Sequence, residues 1–177
     1  MKIGFGILLN TTAHNFIRQL QLELHQVIGI GMPRQPPHVT FKSPFEATEI
    51  KPYADYLTQL ANDTPAFELN LDGFGHFGEQ VLFLEVQENT MLTDFHKQAL
   101  EDMMTQFGIS PDPYEGSNVK FHASIAGFQQ AEQFQAAQRY IKRYQPNFSF
   151  RITELALFYY LGPGQGWIIS QRTEITP

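Results

Sequence analysis

The chain has 177 residues, 42% of them hydrophobic and 17% charged, an ordinary globular profile long enough for one large domain or for two small lobes sharing a core. Eighteen acidic against twelve basic residues give a net charge of −6. That balance argues against duplex nucleic acid as a partner, which needs basic surface to displace counterions, but leaves room for a nucleotide or an RNA end in a locally positive pocket. There are no cysteines, which excludes disulfides and thiolate chemistry and fits a cytoplasmic protein.

Lys2–Leu9 reads as a buried opening strand, because its apolar run of about seven residues is too short for a membrane span and leads into polar NTTAHN without a small-residue cleavage site. Thr11 and Thr12 then cap a helix to about Ile28, with Ile17, Leu20, Leu24 and Ile28 in one stripe. Gly29, Gly31 and three prolines release the chain into a strand His38–Ser43, which Pro44 stops. Thr48 caps a second helix with a stripe at Ile50, Tyr53, Leu57 and Leu60, and strands Phe67–Phe74 and Val81–Val86 follow, joined by GHFGEQ. From Thr90 the order recurs. A helix carries Leu92, Phe95, Ala99, Met103 and Phe107, the loop SPDPYEGSN leads to a strand Lys120–Ala126, and a helix begins near Gln130 with Phe134, Ala137, Ile141 and Tyr144 aligned. Strands near Thr153–Leu161 and Trp167–Glu174, joined by GPGQG, close the chain.

Helix, loop, strand, helix and strand pair therefore occur twice, at an offset of about eighty residues, in units covering roughly 11–87 and 89–175. The expected fold is α+β: one bilobal domain over 1–177, built as two pseudo-symmetric lobes of antiparallel strands with outer helices around a central cleft.

Of six histidines only His38 and His122 have a hydroxyl residue at i+2, Thr40 and Ser124, and each pair sits on the repeated central strand. Residues i and i+2 of a strand share a face, so each imidazole projects with its hydroxyl while Val39, Phe41, Ala123 and Ile125 project behind. Pseudo-symmetry would bring the two pairs to opposite walls of one cleft. Lys42 and Lys120 fall on the same faces and are candidate substrate-binding residues. Tyr114 and Trp167 are candidates for stacking on a base, with rim or core packing as the alternative for each.

Two imidazoles and two hydroxyls suit in-line attack on a phosphodiester. One neutral ring takes a proton from the attacking oxygen, the other protonates the leaving oxygen, and an unperturbed pKa of about 6.5 keeps both forms accessible. The hydroxyls hold the non-bridging oxygens. No metal is required, and neither HxHxH nor HExxH occurs. The other histidines read as bland: His14 and His25 lie about 16 Å apart on one helix, His96 sits on a helix and His76 in a turn.

HVTF and HASI resemble the paired His-x-Thr/Ser signatures of the two-histidine (2H) phosphoesterase superfamily, which includes 2′-5′ RNA ligases and cyclic phosphodiesterases. LDGFGHFGEQVLFLEV is similar to that family's mid-chain turn and strand, and ITELALFYYLGPGQGWIIS to its closing hairpin. The resemblance implies catalytic roles for His38 and His122, phosphate-binding roles for Thr40 and Ser124, no cofactor, and 2′,3′-cyclic phosphates, 2′-5′ linkages or RNA termini as substrates. After the second motif the chain reads Ala126-Gly127-Phe128 where the bacterial RNA-ligase branch carries an arginine, which points to hydrolysis rather than ligation. PPHVTFKSPFE is closer to a bacterial phosphoesterase branch. The alternative from another class is a non-catalytic module that binds phosphate or RNA ends.

Overall fold

The computed structural model describes residues 1–175. Eight strands form a single antiparallel sheet: β1 Lys2–Leu8, β2 His38–Glu46, β3 Glu68–Phe77, β4 Val81–Val86, β5 His122–Gly127, β6 Asn147–Arg151, β7 Glu154–Gly162 and β8 Gly166–Glu174. Their spatial order is β6-β3-β4-β5-β2-β1-β7-β8. The four helices are α1 Thr11–Ile28, α2 Lys51–Asp63, α3 Thr90–Phe107 and α4 Ala131–Ile141. Each half of the sheet has a histidine strand at its inner edge, β2 in one and β5 in the other, and the expected α+β arrangement of two antiparallel halves is what forms.

The repeat units are interlaced rather than side by side. β3 and β4 belong to the first unit yet lie beside β5, while β7 and β8 belong to the second yet reach β2 through β1. The helices cross over too: α1 packs against β5 and α4, and α3 against β2, while α2 lies against β7 and β8. One continuous apolar core, running from Ile3 and Phe5 through Leu57, Leu84, Ile125 and Ile152, joins both halves. Of the expected 1–177 span, the last two residues lie outside the described residues.

Several boundaries differ from those expected, for local reasons. Asn10 and Asn89, each one residue earlier than the expected threonine, cap α1 and α3 by accepting the backbone N–H groups of Ala13 and Leu92 at 2.9 and 3.0 Å. Thr48 caps nothing; α2 begins at Lys51 with Pro52 in its first turn and no side-chain cap. β2 runs through Pro44 to Glu46, because the β1–β2 ladder is irregular opposite it and needs no N–H there. β6 was not expected. Its NFSFR pairs along β3, with Leu69 opposite Phe150 and Leu71 opposite Phe148.

The two halves of the sheet join through very little. β2 and β5 pair at Val39 and Ala123 alone, both fully buried, and then diverge. Beyond that point a second tie holds them. Lys42 on β2 and Glu115 in the loop before β5 are 2% and 3% exposed, with Nζ and Oε2 2.7 Å apart. Glu115 also accepts the N–H groups of Ser43 and Asp112. Beside it, buried His96 of α3 donates from Nδ1 to the Phe41 carbonyl at 2.8 Å and accepts the Gly116 N–H at Nε2 at 3.0 Å, so its ring carries one proton and is neutral. Burial acts in the same direction, pushing the His96 pKa down.

A buried ammonium left without its carboxylate is costly, so Glu115→Leu should destabilise the protein by about 3–5 kcal/mol. Adding Lys42→Met should recover part of that loss, because no unpaired buried charge then remains. Urea unfolding midpoints of the single and double variants measure both effects, and equal losses would show that the charges do not matter.

Candidate active site

The site lies on the sheet face opposite the core, where β2 and β5 meet. Val39, Phe41, Ala123 and Ile125 are buried behind it, and His38, Thr40, His122 and Ser124 are half-buried on it, as the alternation requires. Three adjoining cavities share their linings. His38 and Thr40 line the first with Lys42, Phe158 and Trp167; His38 and Ser124 line the second with Gln21 and Gln35. Thr40 and His122 line the third, of about 480 Å³. The four motif side chains thus open into one cleft.

Both imidazoles are held in the same way. His38 donates from Nδ1 to the carbonyl of Pro36 at 2.8 Å, and His122 from Nδ1 to the carbonyl of Lys120 at 2.7 Å, in each case two residues upstream. A carbonyl can only accept, so each neutral ring keeps its hydrogen on Nδ1 and leaves Nε2 bare. The Thr40 hydroxyl lies 3.2 Å from Nε2 of His38.

Aromatic side chains fix the ring planes. His38 lies 4.3 Å from Phe158, centroid to centroid, and His122 lies 4.9 Å from both Phe77 and Phe83. His38 lies this close to β1 because residue 6 is glycine. A Cβ at Gly6 would fall 2.7 Å from Cδ2 of His38 and 2.9 Å from Phe158. Gly75 does the same for Phe83, whose ring occupies the space a Cβ would fill.

Burial lowers the pKa of both histidines below 6.5, and the hydrogen bonds to Pro36 and Lys120 oppose it. The charge of His122 depresses His38 further, as that of Lys120 depresses His122.

The other residues singled out from the sequence are placed as follows. Lys42 reaches the cleft face but is buried against Glu115. Lys120 is 49% exposed and paired with Glu85 at 2.7 Å. Trp167 lines the cavity beside His38, with its ring tilted 41° to that of Tyr160 and the centroids 5.0 Å apart. Tyr114 stands at the rim of the largest cavity, 81% exposed. His76 bonds the Gly78 carbonyl, and His25 the Ile30 carbonyl, neither on the central strands. Sequence reasoning missed Gln35, Glu115, His96 and the phenylalanines around the rings. No local signal marks them, since each acts through a contact distant in sequence or from an irregular loop. Among the described residues, no three His, Asp or Glu side chains cluster as metal ligands would, and no helix is long and apolar enough to cross a membrane.

Known proteins share this architecture. The structure of LigT from E. coli complexed with ATP superposes with a TM-score of 0.63 at 18% identity, over 99% of this chain and 98% of that one. TT0787 of Thermus thermophilus gives 0.60 at 13%, with the same coverage. LigT has also been solved with 3′-AMP and with phosphate. In sequence, a protein of Geobacillus kaustophilus (strain HTA426) assigned as a phosphoesterase is 37% identical over 67 residues. That match spans 36% of this chain and 39% of the relative's length. A family model described as the 2′-5′ RNA ligase superfamily covers residues 10–164, which takes in both histidine motifs and leaves out only the first and last strands, β1 and β8. The chain belongs to the 2′-5′ RNA ligase superfamily, the two-histidine phosphoesterases.

Proposed function

We propose that the protein is a metal-independent phosphoesterase that cleaves phosphodiesters of nucleotides or RNA termini, either 2′,3′-cyclic phosphates or 2′-5′ linkages, by paired-histidine acid–base catalysis. The observation that carries this reading is the matched pair of imidazoles, each with Nδ1 tied to the carbonyl two residues before it, so that Nε2 is the nitrogen left to take a proton, met at His38 by the Thr40 hydroxyl of its own motif. One Nε2 removes the proton of the attacking hydroxyl or water. The other, protonated, delivers its proton to the departing oxygen as the phosphorus–oxygen bond breaks. Thr40 and Ser124 donate hydrogen bonds to the non-bridging oxygens, where charge concentrates in the transition state. The nucleotide and phosphate complexes known for E. coli LigT, which shares the fold, are in keeping with such a ligand. Hydrolysis is favoured over ligation by Ala126-Gly127-Phe128 after the second motif, which supplies no cation for a second strand.

His38→Ala and His122→Ala should each lower turnover of a 2′,3′-cyclic nucleotide by about 10²–10⁴-fold. A double variant retaining full activity would end the reading, and binding without turnover at any pH would make the protein a binding module.

The pH profile follows from the shifts. A bell in kcat/KM reports the acid and base of the free enzyme, and its maximum lies midway between their pKa values. Burial holds both below 6.5, so the maximum should fall on the acidic side of pH 6.5. Initial rates across roughly pH 4.5–8.5 measure it, and a maximum near pH 8 would contradict the assignment.

Gly6→Ala tests the ring placement. Residue 6 is outside the left-handed region, so alanine suits the backbone, but its methyl would push the His38 ring away. Turnover should drop by on the order of 10²-fold, as for a catalytic group misplaced by about 1 Å. Melting and far-UV circular dichroism should show the fold retained.

A further inference from the structure

The largest cavity in the cleft has about 480 Å³ and lies between β2, the start of β5 and the loop that carries Glu115. It touches Thr40 of the first motif and His122 of the second, so a group in it would be joined to a phosphate held between the motifs. Its size suits a small organic molecule, such pockets running to roughly 300–1,000 Å³. Phe77 and Tyr114 offer aromatic faces to a flat ring, and Val119 and Pro44 add apolar surface.

Outside the catalytic pair, each lysine and carboxylate in its described wall is paired with an opposite charge. The Glu115 carboxylate is paired with Lys42 and two backbone N–H groups. Lys120, the one lysine or arginine among the described lining residues, is held 2.7 Å from Glu85 and its ammonium lies over the Phe83 ring. His96 is neutral, with both ring nitrogens engaged by the backbone. An anion entering here would lose its hydration and gain no free cation, on a chain whose net charge is already −6.

We infer that this cavity holds the uncharged nucleoside of the substrate, and that the enzyme selects phosphodiesters whose nucleoside bears no second phosphate. The inference rests on the phosphoesterase reading and narrows it, from nucleotides and RNA ends in general to single-phosphate compounds. Glu85 and Glu115 act here as specificity determinants, because they neutralise the lysines that would otherwise welcome another anion.

The test compares adenosine 2′,3′-cyclic phosphate with the same compound carrying a 5′-phosphate, using the full chain. The 5′-hydroxyl compound should show a kcat/KM at least about tenfold higher. Glu85 is partly exposed, so Glu85→Gln should fold, and by freeing Lys120 it should shrink that ratio severalfold through a lower KM for the 5′-phosphorylated compound. Equal or faster turnover of the 5′-phosphorylated compound by the unaltered protein overturns the inference and leaves the phosphoesterase reading standing. A ratio unchanged in Glu85→Gln overturns it as well, since selectivity would then not come from charge cancellation. Turnover of neither compound overturns both.

Discussion

The site depends on one contact between two β-strands. β2 and β5 pair only where Val39 meets Ala123, and the residues on either side of that pair are the two His-x-Thr/Ser motifs. A single buried pair of small apolar residues sets the distance between the imidazoles, because each ring is in turn tied to its own strand by a hydrogen bond to the carbonyl two residues upstream. Alone, such a short ladder would leave the halves free to hinge. The buried Lys42–Glu115 pair and the His96 bridge close the far side, so that the strands diverge into a cavity of fixed width. Buried ion pairs contribute little net stability, but they define geometry well, since any displacement exposes an unpaired charge to an apolar surrounding.

The pseudo-symmetry stops at the backbone. Both rings have the same tautomer-fixing bond, yet their surroundings differ. His38 packs on Phe158 over a glycine of β1 and has Gln35 in its linings, whereas His122 is gripped between Phe77 and Phe83, with Lys120 and Glu85 alongside. Lys42 on one strand corresponds to Ala126 on the other. The proposed reaction would require this of an asymmetric substrate, because the two oxygens exchanged at phosphorus would carry different groups. In the proposed reaction the two matched motifs would supply two proton-transfer sites, and the differences around them would give each its own partner.

Much of this was legible beforehand for a physical reason: strand alternation is local. HVTF and HASI place imidazole and hydroxyl on one face wherever those strands lie, and the repeated element order pairs them. The interlacing was not legible. Nothing near β3 and β4 states that they will join β5 rather than the strand before them, because that choice is made by the shared core. β6 carried a weak signal, NFSFR with Phe148 and Phe150 on one side, obscured by its position directly after a helix. The parity argument for Lys42 gave the right face, but the ion that meets it there is set 73 residues away, by Glu115. The caps of α1 and α3 show the limit at its smallest, since Asn and Thr at adjacent positions can both cap and the structure uses asparagine.

Burial gives the proposed chemistry its direction. Free of ligand, both rings are held below their ordinary proton affinity, chiefly by desolvation, and the charge of His122 adds to this at His38. Two imidazolium ions are therefore disfavoured at neutral pH, and at least one Nε2 stays available as a base. A phosphodiester anion entering between them reverses the balance at whichever nitrogen lies nearest an oxygen, because opposite charge at contact distance raises the proton affinity of an imidazole. The acid is thus assembled together with the substrate, on a protein whose overall charge is negative and whose cleft lysines are already paired. Cations anchored in the cleft would bind phosphate of any kind. Rings that take up a proton only beside a correctly placed phosphate couple recognition to the reaction itself.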